Sequence, residues 1–432
     1  MIDISLMLAA ALAAAPIGDG AAGGVAVHPA CGSEVFECVD LKITLVGKAQ
    51  NYGGDTFTCD PDILSPKSVN IHPSGGKAYV HSLEGMKSVV YRFPEFEKLG
   101  TIEHRFSSSD TSLWAASSGL YHFNDAFRDP LTFCGKPVES LFTHGGRYLW
   151  ITYYRRSYDT NAQNPSAVVA VDTQRDSIVR AFETGPLPKM IAASPDGKHL
   201  AVTHWGDNTV GLMDISGTNP ADWHYVANVV VDQKLKLNFK ASERVNRDQG
   251  SGLSLRGTLF TGDGKYLLVG CMGGSGGIAV IDVEKCAYLG KIHGIKSNVR
   301  HLICKSGFLY ASINKAGYVQ RTDMQQVRNA IQALESGERS VRIENWDSCK
   351  VFPGARTIVA SPDGKYIFAA CHFSSRIAVV DTGTMTMIGS VRADSYPVGL
   401  AISGDGRYLV STSQGSGGLG GNAVDIYRID YN

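Results

Sequence analysis

From residue 356 to residue 393 the chain shows four short apolar runs separated by polar breaks. "RTIVA" leads into the turn "SPDG", followed by "KYIFAACH", "SRIAVVD" and "TMIGSVRA". Runs of this length, rich in β-branched and aromatic side chains and bounded by Gly, Pro, Asp and Ser, predict strands. In the turn, Gly supplies positive φ and Asp caps the local backbone. The same turn recurs as "HPSGGKAYV" (72–80), "THGGRYLWI" (143–151), "SPDGKHLAV" (194–202), "TGDGKYLLV" (261–269), "KSGFLYA" (305–311), "SPDGKYIFA" (361–369) and "SGDGRYLVS" (403–411). The turn glycines, from Gly75 to Gly406, are spaced by 71, 51, 67, 43, 57 and 42 residues. A basic unit near 42 residues, in places enlarged by insertions, predicts an all-β, seven-bladed β-propeller with four strands per blade. Residues 25–432 are expected to form this one domain.

The seventh unit ends after its third strand, "AVDIYRID" (423–430), while "VDLKITLVG" (39–47) alternates like a strand and belongs to no unit. This N-terminal strand is expected to complete the last blade and close the ring, removing two exposed sheet edges.

The stretch "SPDGKYIFAACHFSSRIAVVDTGTMTMIGSV" (361–391), echoed by "GDGKYLLV" and "GIAVIDVEKCAYLGKI", resembles the YVTN or YncE-like family of bacterial propellers. The resemblance covers roughly residues 35–430. It implies the fold and a set of functions that includes exported binding proteins, lactonase-like enzymes and propeller subunits of electron-transfer dehydrogenases. It assigns no active site, because the fifth unit is degenerate and several units carry large insertions. The absence of a G-H…W-D pairing disfavours a WD40 repeat.

Within the units, one position is unusual. Eight residues before the turn glycine stand Lys67, Val138, Lys189, Arg256, Arg356 and Val398, and Arg300 holds the matching place in the shorter fifth turn. Five of these seven are basic, in a chain with 41 Lys and Arg among 432 residues, where chance supplies fewer than one. Inner strands border the propeller axis, so these residues are expected to ring the channel mouth and to favour either a bound anion or interleaved carboxylates. The competing structural reading has each base donating to carbonyls of the neighbouring blade.

The insertions 105–137, 152–166 and 234–252 are expected to crowd the same face. Tyr153, Tyr154, Arg155, Arg156, His204, Trp205, His372, Phe373 and Arg376 fall in loops between second and third strands on that side. Arg and aromatic side chains around a concave opening suit a ligand site. His81, His204 and His372, near the ends of second strands, are candidate channel-mouth groups. By contrast, "DMQQVRNAIQALESG" (323–337) has Val327, Ile331 and Leu334 at helical spacing and is expected to cap the opposite face.

Charge and composition narrow the classes. With 41 acidic residues against 41 basic ones, the chain has no net charge, which argues against a generic nucleic-acid or membrane-surface binder. The apolar run from Ile4 to Pro16 is too short to span a bilayer and resembles the core of a secretory signal. Residues 1–24 are therefore expected to be an export signal or tail, with the domain in the periplasm or at the bacterial cell surface. Nine cysteines leave at least one unpaired, and a Cys59–Cys134 disulfide is expected to pin the 105–137 insertion. Neither G-x-S-x-G, H-E-x-x-H, CxxC nor a paired-carboxylate motif occurs, so no catalytic residue, metal or cofactor is assigned.

The function expected is an exported propeller that holds an anionic small molecule, glycan or peptide at the basic mouth, with room for a protein partner on the loop-rich face. A lactonase-like hydrolase using His and Arg at the same mouth, or a subunit docking a redox partner, are the alternatives.

Overall fold

A computed structural model describes residues 35–38, 40–52, 58–121, 133–156, 164–236, 250–417 and 420–431. The expected export signal at 1–24 lies outside the described residues, as do residues 157–163 of the 152–166 insertion and 237–249 of the 234–252 insertion.

Seven antiparallel sheets follow one another around a ring. Their inner strands are Pro66–Ile71, Gly135–Thr143, Pro188–Ala193, Leu255–Phe260, Val299–Lys305, Ala355–Ala360 and Pro397–Ile402. The sixth blade matches the sequence reading strand for strand: Ala355–Ala360, Tyr366–Cys371, Arg376–Asp381 and Thr386–Arg392. The turn chemistry is also as expected. The Asp363 carboxylate accepts from Ser361 Oγ at 2.6 Å and from Lys365 N at 3.0 Å, and Asp263 repeats the pair with Thr261 and Lys265. At Gly197 an added Cβ would meet nothing within 4 Å, so its φ of +72° alone requires glycine there.

The hydrophobic core is distributed over the seams between blades. Each of seven clusters joins neighbouring sheets; Val80 and Tyr91 of blade one, for example, pack with Val410 and Ile426 of blade seven. The alternating pleat places one face of each sheet in each of its two seams, so nearly every strand is apolar on both sides.

The ring closes as the sequence predicts. Leu41–Gln50 pairs antiparallel with Ala423–Tyr431, from Leu41 opposite Tyr431 to Gln50 opposite Ala423. Two further short strands, Val35–Cys38 and Thr58–Cys59, extend this sheet. Closure is reinforced by a buried ion cluster. Lys48 of the closing strand meets Asp394 and lies 3.2 Å from Asp425 of the last strand.

The helix Met324–Glu335 buries Val327, Ile331 and Leu334 against blades four and five. It is followed by Ser340–Arg342, which adds a parallel fifth strand to blade four, a feature without a signal in the repeat pattern.

Two expectations are corrected. Cys59 and Cys134 are both free thiols, one exposed and one half-buried. Cys134 instead bridges Arg105 through the backbone, which ties down the base of the insertion without a covalent link. The described part of that insertion also avoids the channel mouth. Trp114 pairs with Ala181 on the outer strand of blade two, and Tyr121 packs on Tyr225 of blade three. The segment wraps the rim because its aromatic side chains find apolar cover in the seams there.

Candidate functional site

The inner strands enclose a channel cavity of about 380 Å³ to which every blade contributes, through residues such as Asn70, Ser140, Ile191, Thr258, His301, Thr357 and Leu400. Two glycines let adjacent inner strands converge. A Cβ on Gly257 would lie 2.9 Å from Leu302 N, and one on Gly399 would lie 2.9 Å from Lys67 O. Gly257 follows Arg256 directly, so the close approach draws the basic positions of blades four and five together.

Hydroxyls of one blade satisfy the carbonyls at the ring position of the next. Ser68 Oγ donates to Val138 O at 2.6 Å, Ser312 Oγ to Arg356 O at 2.5 Å and Thr357 Oγ1 to Val398 O at 2.8 Å. The basic side chains are thereby released from that role. Lys67, Arg256, Arg300 and Arg356 donate to no backbone carbonyl among the described residues. This removes the reading in which these four side chains are carbonyl donors.

These four cations converge. Burial first, and then the charges of Arg356, Arg256 and Arg300, hold the Lys67 ammonium well below its ordinary pKa; Glu139 opposes the shift. Burial also lowers the pKa of Arg300, with Arg356 and Arg256 adding to it. The counter-charge is Glu139, which accepts from Arg256 Nη2 at 2.9 Å. Arg300 Nη1 approaches Met272 Sδ at 3.4 Å, and the Arg356 guanidinium lies 5.8 Å from the Tyr396 ring centre. Beside Arg356, His372 packs on Phe373 and Tyr396 with ring centres 3.9 and 4.5 Å apart. Phe373 is 63% exposed and gives the mouth an apolar rim.

The fifth ring residue, Lys189, sets its ammonium 3.6 Å from the Tyr154 ring centre and 5.1 Å from that of Trp205. This is a cation–π box formed by second-strand ends of blades two and three. Trp205 thus belongs to the rim.

The other expected site residues differ in where they lie. Tyr153 lies within the second strand of blade two, fully buried, with its hydroxyl 2.9 Å from His104 Nδ1. The alternation of the strand turns it into the seam while Tyr154 faces outward. Arg155 falls in the same strand, but its side chain and that of Arg156 lie outside the described residues. His204 is fully buried between Thr184, Thr209 and Tyr121, and burial pushes its pKa down to about 3. His81 is likewise buried and bonded to Ser88 and Ser140. His372 is nearly buried, with Nδ1 2.7 Å from Gly354 O. Arg376 opens the third strand of blade six, about 10 Å from the axis-lining strand at 4.8 Å per neighbour. It donates to Ser390 Oγ at 2.8 Å and stacks on Phe352.

Several contributors have no repeat signal: Glu139, His301, Met272 and Tyr396. Glu139 follows Val138, one of two apolar ring positions, and a carboxylate beside a gap in a basic ring is the one available hint.

Among the described residues, no three His, Cys, Asp or Glu side chains gather to hold a metal ion, and no helix is long and apolar enough to cross a membrane.

No family model matches the chain. It is 28% identical over 201 residues to Antigen Lp49 of Leptospira interrogans serogroup Icterohaemorrhagiae serovar copenhageni, a match covering 42% of this chain and 39% of that protein's length. Among solved structures, Kuenenia stuttgartiensis hydrazine synthase is similar at a TM-score of 0.58 and 13% identity, over 87% of this chain and 99% of that one. The β-propeller domain of Myceliophteria thermophila Cps50 (Swd1) is similar at a TM-score of 0.55 and 12% identity, over 84% and 96%. At such identities the structural likeness carries the fold alone. The chain is a seven-bladed β-propeller, and its likeness to the Leptospira antigen fits a bacterial β-propeller family.

Proposed function

We propose that this propeller is exported and binds a small anionic molecule at the basic mouth of its channel, without chemistry. The observation that carries this reading is the set Lys67, Arg256, Arg300 and Arg356, close enough to act on one another's charge, with Glu139 as the carboxylate among them. Mutually repelling, poorly solvated cations are costly when empty, and an anion in the opening relieves that cost. The channel cavity of about 380 Å³, whose lining includes Glu139 beside the ring, suits a small molecule. Export is supported by the apolar N-terminal run and by the name of the Leptospira relative, an antigen.

Calorimetric titration with inorganic phosphate, citrate and acetate tests the reading. Binding that weakens roughly tenfold or more in Lys67→Gln and Arg356→Gln, and falls as salt rises, supports it. A wild-type protein whose melting temperature no anion shifts overturns it.

A further inference from the structure

One wall of the channel connects to a buried chain of hydrogen bonds. Ser140 lines the cavity two residues past Val138, the ring position of blade two. At 3.3 Å per residue that is about 7 Å deeper than the mouth. Ser140 Oγ lies 2.6 Å from His81 Nε2, and His81 Nδ1 lies 2.7 Å from Ser88 Oγ. Ser88 Oγ is in turn 2.7 Å from His104 Nε2, and His104 Nδ1 is 2.9 Å from the Tyr153 hydroxyl. His81, Ser88, His104 and Tyr153 are all fully buried in and beside the seam between blades one and two.

Such a chain can be protonated in two senses, and the Tyr153 end decides between them. The phenol has one proton, and among the described residues its hydrogen-bond partner is His104 Nδ1. A buried hydroxyl proton without an acceptor costs about 1–3 kcal/mol, so Tyr153 donates inward to His104. Burial lowers the pKa of both His81 and His104, so each ring is neutral and carries one proton. His104 then donates from Nε2 to Ser88, Ser88 donates to His81 Nδ1, and His81 donates from Nε2 to Ser140. Ser140 Oγ also accepts from Asn70 Nδ2 at 2.7 Å. With both lone pairs occupied, its own proton has no acceptor among the described residues and points to the cavity.

We propose that Ser140 is a specificity-determining residue, presenting a pre-oriented hydrogen-bond donor to an acceptor oxygen on the ligand about 7 Å inward from its anionic head. The inference rests on the proposed function and names its ligand class: a carboxylate or phosphate bearing a keto, amide or second acid group at that reach. The four preceding donors, Tyr153, His104, Ser88 and His81, polarise the Ser140 hydroxyl and strengthen it in this role.

Two measurements test it. Nitrogen-15 NMR of histidine side chains in the unliganded protein should show His81 and His104 as Nε2–H tautomers. A proton on Nδ1 of His81 means the chain runs the other way, with Ser140 donating to His81, and overturns the inference. Titration with 5-oxohexanoate and hexanoate, equal in charge and length, should favour the keto acid roughly five- to tenfold. Ser140→Ala should erase that preference, and Tyr153→Phe should reduce it while hexanoate binding persists. Equal binding of the two acids to wild type, still dependent on Lys67, overturns this inference and leaves the ring intact. If neither acid binds, the ring reading is overturned, and this one with it.

Discussion

Arg256 Nη2 reaches across the channel mouth to Glu139 Oε1 at 2.9 Å, joining blades that are 117 residues apart in sequence. Arg256 is 4% exposed, so this contact is a nearly buried ion pair. It neutralises one of the ring charges and places the remaining excess on Lys67, Arg300 and Arg356.

Glu139→Gln should therefore do two opposite things. Removing one partner of a buried pair leaves the other charge uncompensated, and the empty protein should lose about 3 kcal/mol of stability. The mouth simultaneously becomes more positive, so phosphate should bind more tightly and recover part of the loss. Melting curves with and without phosphate should show a larger anion-induced shift in the variant than in wild type.

Lys67→Gln should stabilise the empty protein. The folded-state pKa of Lys67 lies below its unfolded value of 10.5, through burial and the three arginines. Below pH 10.5 the unfolded chain therefore binds more protons, and the group counts against folding at neutral pH. Its removal should raise the melting temperature by roughly 1–3 °C at pH 7 without anion. A lower melting temperature would mean that Lys67 is a structural donor.

Stability should fall on acidification through the histidine range. Burial pushes His81 and His204 down to about 3, and burial with Arg356 does the same to His372, all from 6.5. The stability these neutral rings allow is fully present above pH 6.5. It is lost as pH falls toward 3, because the unfolded chain takes up protons that the folded one refuses, at up to about 1.4 kcal/mol per pH unit for each group. Urea midpoints measured from pH 7.5 to 4.5 should show this slope, and His204→Gln should flatten it.

Lys48→Met should open the ring. Its ammonium is shared by Asp394 and Asp425, both nearly buried, and Gly421 N and Ser395 N also donate to Asp394. Burial works against the charged lysine, but the two carboxylates outweigh it and raise its pKa. Without Lys48 the carboxylates repel in a dry seam, at a cost of about 3–5 kcal/mol. Deleting residues 1–50 should go further and abolish cooperative unfolding, since both flanking strands lose their partner. Equilibrium denaturation with an unchanged midpoint in either variant would show that closure does not depend on this strand.

The sequence alone determined the blade. A turn such as Ser361-Pro362-Asp363-Gly364 is fixed by local chemistry, namely Asp363 accepting from its own backbone and Gly364 taking positive φ, and strand period 2 follows from the covalent chain. Counting such turns yields seven blades, an orphan strand at 39–47 and five basic ring positions. Local signals were enough because each blade is one supersecondary unit repeated, and equivalent positions in a closed ring must converge on its axis.

What only the tertiary structure decided is the partner of each polar group across a seam. Tyr153 and Tyr154 are adjacent aromatics in the sequence, yet one is buried on His104 and the other lies under the Lys189 ammonium. His204 and His372, both near second-strand ends, are held by hydroxyls and by a carbonyl, and Arg376 lies one strand pair away from the axis-lining strand. Glu139 becomes the counter-charge of Arg256 only when blades two and four face each other. These pairings depend on contacts between residues tens to hundreds of positions apart, where repeat spacing fixes the level of a side chain but not the neighbour it meets.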